Sequence, residues 1–322
     1  MVGIPVIDIG PLVSNSPDAG AVAATIGRAC RETGFFYVVG HGIAPETVET
    51  VFAMSRAFFA QPLAAKEKAA FSGPSGNRGW IELGNEVLDP GTPHDLKEAF
   101  NIGLELPLDD PEVVTGRPFR GLNVWPDIPG FRSAALTYFD ACWRLGRTLH
   151  RAFAVDLGLA PDFFESVFTR PVATVRMLHY PPAPAEVLAR QLGAGEHTDY
   201  GNVTLLATDG VAGLMVRHRS GEWIAAPSVP NAFVCNIGDC LMRWTNDIYV
   251  STPHKVVSPP GQHRYSIAFF LDANPESVVE CLPTCIMPGR PAKYPPVTFA
   301  EFLQSRLAPT YAHAIHDGAV PA

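Results

Sequence analysis

The chain has 322 residues, of which 47% are hydrophobic and 17% charged, enough apolar material for a sizeable core and a composition that excludes intrinsic disorder. Its formal net charge of -8 is accompanied by no basic stripe, which excludes binding to phosphate backbones and so a nucleic-acid partner. The six cysteines form no CxxC pair and sit in a chain long enough to need no staples, which predicts reduced, mostly buried thiols.

In chain order, "IPVID" (4–8) reads as a strand, and residues 18–33 as a small-residue helix that Asp18 is placed to cap and Gly34 to end. "FFYVVG" (35–40) has the length and β-propensity of a buried strand. In the segment from Pro45, which suits a first helical turn, Val48, Val51, Phe52, Ser55 and Phe59 recur at helical spacing. Residues 71–103 read as loop, with "DLKEAFNIG" (95–103) a charged segment entering a strand. The longest helix is predicted over 131–157, where Leu136, Phe139, Cys142, Trp143, Leu149 and Phe153 keep a period near 3.6. From about 172 the pattern becomes short strands between turns, among them "TVRMLHY", "VTLLAT", "FVCNIGD" and "YSIAFFLD", as in a sandwich or barrel. A last helix, "VTFAEFLQSRLA", is expected to pack outside it. The start of the chain has no positive n-region, and no segment reaches the ~18 continuous apolar residues of a membrane span. The expectation is a soluble, cytoplasmic protein without a membrane partner.

In "GEHTDYGNVTLL" (195–206), His197 and Asp199 stand two positions apart, the spacing that points side chains to one face of an extended strand. Such a pair alone is weak evidence for a metal. Downstream, "STPHKVVSPPGQHRYSIAFF" adds His254, then Arg264 and Ser266, again at i and i+2. Two histidines and one carboxylate are the facial triad that holds non-haem iron(II) while leaving positions open. Arginine's planar fork suits a carboxylate, and a serine hydroxyl adds a hydrogen bond.

These motifs, with "IPVIDIGPL", "RETGFFYVVGHGI", "MLHYPP" (177–182) and "FVCNIGDCLMRWTN" (233–246), resemble the iron(II)- and 2-oxoglutarate-dependent dioxygenases of the isopenicillin N synthase-like group over nearly the whole chain. The resemblance implies a mainly β protein with flanking helices, built on a double-stranded β-helix of the jelly-roll, cupin-like kind. It implies an N-terminal α/β region (1–120) packed on the core, scaffold helices (121–170), the dioxygenase jelly roll (171–275) and a C-terminal loop and helix (276–322). Carried over by position, His197, Asp199 and His254 are the catalytic metal ligands, Arg264 and Ser266 bind the far carboxylate of 2-oxoglutarate, and Tyr180 contacts the same cosubstrate. Leu178 departs from the asparagine that many plant relatives carry there, and His179 from an aromatic residue. The cofactors implied are Fe(II), 2-oxoglutarate as cosubstrate and O2. The reaction implied is hydroxylation, desaturation or cyclisation of a small-molecule metabolite with release of succinate and CO2. Oxidation without the keto acid, as in isopenicillin N synthase, and ethylene formation are alternatives on the same iron site. From another class, a zinc hydrolase or a non-catalytic metal-binding module remains open.

For the substrate pocket the candidates are Phe100 and Asn101, from the region that edges it in similar enzymes, and Met177 and Phe270, which are also ordinary core residue types. Bland readings hold elsewhere. His41 reads as a turn residue, Asp239 as a turn between strands, and His263 and Glu196 as pointing away from the site by strand alternation. Cys281 and Cys285 lie in a proline-rich loop, where a metal site shared with a histidine is the less favoured reading.

Overall fold

The structure, a computed structural model, describes residues 3–71, 76–89, 92–188 and 191–316, with side chains to residue 307. The parts of the expected loop at 72–75 and 90–91, and the end of the C-terminal segment at 317–322, lie outside the described residues.

The strands are β1 (Val6–Asp8), β2 (Phe35–Val39), β3 (Gly79–Ile81), β4 (Glu98–Gly103), β5 (Ala173–Tyr180), β6 (Ala194–His197), β7 (Val203–Thr208), β8 (Leu214–Arg217), β9 (Trp223–Ala225), β10 (Phe233–Ile237), β11 (His254–Val256) and β12 (Arg264–Leu271). They form an eight-stranded sheet in the order β1-β2-β10-β7-β12-β5-β4-β3 and a four-stranded sheet in the order β6-β11-β8-β9. Every pairing is antiparallel except that of β1 with β2. The two sheets face each other as the jelly roll that the family resemblance implies. The N-terminal segment joins the core directly, since β1 and β2 extend one side of the larger sheet and β3 and β4 the other.

Strand alternation decides which side chains reach the interior. On β12 the side chains of Ile267, Phe269 and Leu271 are buried on the outer face against the long helix Phe131–Asp156, where Phe139 meets Phe269 edge-on at 5.3 Å. Arg264, Ser266, Ala268 and Phe270 alternate with them and face the smaller sheet. Buried on both faces, the strand reads as an almost continuous apolar run. Truncating a side chain such as Phe269 to alanine would cost about 3–5 kcal/mol.

The helix Ala19–Glu32 ends as expected. The Thr33 and Gly34 N–H groups both donate to the Ala29 carbonyl, and Gly34 takes φ +66°, a conformation that a side chain would strain. Asp18 occupies the cap position without making a side-chain capping bond. Two expectations are corrected. The loop expected over 71–103 is interrupted by β3 and ends in the buried strand β4, which begins at Glu98 within "DLKEAFNIG"; Glu98 can be buried because Lys66, Trp80 and His179 all bond its carboxylate. Asp239 does not sit in a turn between strands but opens the helix Asp239–Trp244. Among the described residues no helix is long and apolar enough to cross a membrane.

Candidate metal centre and active-site cavity

His197 closes β6 and His254 opens β11, and the two are paired across the smaller sheet, their rings 4.3 Å apart. Asp199 lies just beyond the end of β6, so the H-x-D pair straddles a strand end rather than lying within a strand. Its Oδ1 stands 3.9 Å from His197 Nε2 and 3.7 Å from His254 Nε2. Donors bound to one ion at roughly 2.1 Å are necessarily about 3–4 Å apart. Among the described residues this is the only group of three or more such side chains able to converge on a metal.

The surroundings leave the right atoms free. His197 Nδ1 donates to the Gly195 carbonyl at 2.8 Å and His254 Nδ1 to the Thr252 carbonyl at 3.2 Å, so each Nε2 keeps its lone pair. Asp199 Oδ2 accepts from Thr204 Oγ1 at 2.5 Å and Asn236 Nδ2 at 2.6 Å, which leaves Oδ1 to the shared point. Burial, with His254 close by, pushes the His197 imidazole down to about 3 and so keeps it neutral. Burial alone would raise the Asp199 carboxyl, but the two imidazoles and the bonds from Asn236 and Thr204 hold it below the usual range. One carboxylate oxygen and two neutral imidazoles aimed at one point fit a divalent iron site.

Across the cavity, Arg264 is 1% exposed. Its guanidinium lies 4.7 Å from the centre of the Tyr180 ring, its register partner on β5, and Nη1 donates to Ser266 Oγ at 3.3 Å. Nε has no partner among the described residues. Gly213 permits the close approach, since a Cβ there would stand 3.2 Å from Nε and 2.9 Å from the Val257 carbonyl. A buried arginine with unmet N–H groups marks a place prepared for an anion.

A cavity of about 220 Å³ joins the two groups. It runs from Arg264, Ser266 and Tyr180, past His197, Asp199 and His254, to an end formed by Arg176, Asn101 and Phe270. Of the four candidate substrate contacts, Asn101 and Phe270 line it. The expectation for Phe100 and Met177 is corrected: they are register partners, both fully buried in the outer core, with Phe100 packed 4.5 Å from Phe58. Asn101 and Arg176, the next pair along, point inward, because a step of one residue along a strand reverses the face.

Other expectations resolve simply. His179 and His263 stack on one another and hydrogen-bond at 2.9 Å, away from the cavity lining. Cys281 and Cys285 are buried and join no ligand cluster among the described residues. The C-terminal helix Phe299–His316 does not merely pack outside. Leu303 and Leu307 line the cavity, Arg306 pairs with Asp239, and Asp239 also accepts from Thr198 Oγ1.

Sequence reasoning missed Thr204 and Asn236, and also Glu86, Lys97 and Arg176. A signal existed for three of them: Thr204, Asn236 and Arg176 are polar residues within otherwise apolar strand runs, and Arg176 shares the inward alternation of Leu178 and Tyr180. Glu86 left no such signal.

Two family models match the chain. The N-terminal domain of non-haem dioxygenases in morphine synthesis covers residues 4–128, and the 2OG-Fe(II) oxygenase superfamily covers residues 171–273. A 2-oxoglutarate-Fe(II) type oxidoreductase, hxnY of Emericella nidulans, is 37% identical over 96% of this chain and 91% of its own length. Among solved structures, a full-length Neurospora crassa protein in complex with alpha-KG and thymine superposes with a TM-score of 0.86 at 35% identity, covering 96% of this chain and 97% of that one. JOX2 in complex with 2OG, Fe and JA superposes with a TM-score of 0.79 at 31% identity, covering 95% and 85%.

Proposed function

Since this chain belongs to the 2OG-Fe(II) oxygenase superfamily, we propose that it oxidises a C–H bond of a small-molecule metabolite, with His197, Asp199 and His254 holding the iron and Arg264, Ser266 and Tyr180 holding 2-oxoglutarate. The observation that carries this assignment is the convergent His-Asp-His group facing a buried, incompletely partnered arginine across one cavity.

When bound, ferrous iron with O2 and 2-oxoglutarate supplies the oxidising chemistry, and the keto acid leaves as succinate and CO2. The chain's own part is positioning. Gly195 and Thr252 fix the histidine tautomers through their carbonyls, while Thr204 and Asn236 fix the carboxylate. Arg264 anchors the far carboxylate of the keto acid, Ser266 adds a hydrogen bond, and the Tyr180 ring supports the guanidinium through its face. Phe35, Leu214 and Val256 line the cavity with apolar surface and keep water from the reacting centre. Small-molecule complexes of related proteins, the Neurospora crassa protein with thymine and JOX2 with JA, support a small metabolite as substrate. A hydrolytic zinc site would leave the buried Arg264 without a role.

The test is an oxygen-free titration of the metal-free protein with Fe(II) and then 2-oxoglutarate, following the visible metal-to-ligand band of the chelate, with His254→Ala as control. A saturable band absent from the variant is expected. Iron binding without a band on keto-acid addition would overturn the cosubstrate assignment.

A further inference from the structure

The β4 side of the cavity carries charges that the reaction outlined above does not use. Lys97, on the chain just before β4, donates to Asp95 Oδ2 at 2.5 Å and lies 3.5 Å from Glu86 Oε2. Glu86 in turn pairs with Arg176, whose Nη1 reaches Asn101 Oδ1 at 3.4 Å. Lys97, Glu86, Arg176 and Asn101 all line the cavity, and Lys97 and Asp95 are buried.

Charge counting over this cavity is decisive. The lining cations are Lys97, Arg176 and Arg264 and the lining carboxylates Glu86 and Asp199, and Asp95, which pairs with Lys97 from outside the lining, brings the protein's share to balance. A ferrous ion and doubly negative 2-oxoglutarate also cancel. A charged substrate would then be buried without a counter-charge, which low-dielectric surroundings penalise heavily. Asp272, the residue after β12 in the same lining, has its carboxyl pushed up to about 7 by burial, and its neutral form leaves this balance intact. Yet the wall is polar. Asn101 Nδ2 donates to Asn77 Oδ1 and its Oδ1 faces Arg176, a pattern of amide and guanidinium edges suited to hydrogen bonds rather than ion pairing.

We infer that the primary substrate carries no net charge and presents a hydrogen-bonding edge of the carbonyl or amide kind to Arg176 and Asn101, with Glu86 cancelling the charge of Arg176. Arg176 and Asn101 are then the specificity-determining contacts and Glu86 a positioning residue. This rests on the oxygenase reading of the site.

The experiment loads the enzyme with Fe(II) and 2-oxoglutarate without oxygen and adds thymine or uracil as neutral imides, indole-3-acetate as an anion, or homoarginine as a cation. Binding is read by calorimetry and by the shift of the visible band. A neutral imide should bind, and the two charged probes should bind at least about tenfold more weakly. Glu86→Gln leaves one uncompensated positive charge and should raise indole-3-acetate affinity about tenfold; adding Arg176→Gln should remove that gain, a restoration that a merely structural role would not give. Preference for either charged probe, failure of both imides to bind at 10 mM (roughly −2.7 kcal/mol), or an unaltered anion affinity in Glu86→Gln would overturn the inference. If the visible band itself never forms, the oxygenase assignment of these residues fails instead.

Discussion

At the Arg264 end of the cavity the key side chains come from paired strand positions: Arg264 opposite Tyr180, Ser266 two residues on, and His254 opposite His197. Around Arg176 they come from the loop before β4 (Glu86) and the middles of β4 and β5 (Asn101, Arg176), while Lys97 and the C-terminal helix (Leu303, Leu307) complete the lining. The first end is fixed by sheet register, which a regular backbone enforces. The second adds loop and helix packing to one registered pair, Asn101 opposite Arg176, which leaves room for the pocket to differ among proteins that share the chemistry.

That contrast can be broken from the chemistry end first. His254→Ala should abolish iron-dependent turnover while leaving the thermal transition nearly in place, measured by succinate release and by melting of the same preparation. Arg264→Ala should cost on the order of 2–5 kcal/mol in keto-acid binding, read as a rise in the KM for 2-oxoglutarate with kcat largely kept at saturation; an unchanged KM would remove Arg264 from its role. Asn236→Ala strips one hydrogen bond from Asp199 and should weaken iron binding about 10- to 100-fold, measured by competition with a chelator.

The remaining predictions sharpen the other end. Although burial pushes the Glu86 carboxyl up, Arg176 and Lys97 hold it down to about 2, against an ordinary 4.5. A carboxyl depressed in the folded state binds fewer protons than in the unfolded one, so its stabilisation is complete above pH 4.5 and lost as the pH falls towards 2. Glu86→Gln should therefore flatten the acid limb of denaturant stability in that window. Arg306→Ala should have the smallest effect, up to about 1 kcal/mol on protection of the C-terminal helix in hydrogen exchange, because its partnership with Asp239 is partly exposed.

Much of the chemistry end was legible in the sequence. His197, Asp199, His254, Arg264 and Ser266 are marked by spacing along extended chain, and a period of two converts spacing into a shared face. The same rule separates Asn101 from Phe100 and Arg176 from Met177, but only once β4 is known to be a strand and its register with β5 is known. Glu98 disguised β4 as a loop, because burial of its carboxylate depends on Lys66, Trp80 and His179, which are remote in the chain. Local periodicity and ligand spacing thus determined a sandwich or barrel of short strands, the convergent His-Asp-His triad and the inward-facing Arg264, and the family resemblance made that barrel a jelly roll. Tertiary structure alone decided that Thr204 and Asn236 orient Asp199, that the C-terminal helix walls the cavity, and that Glu86 and Lys97 bring its charges to balance. These are contacts between segments far apart in sequence, and a buried charge is acceptable only where folding has already brought its partner.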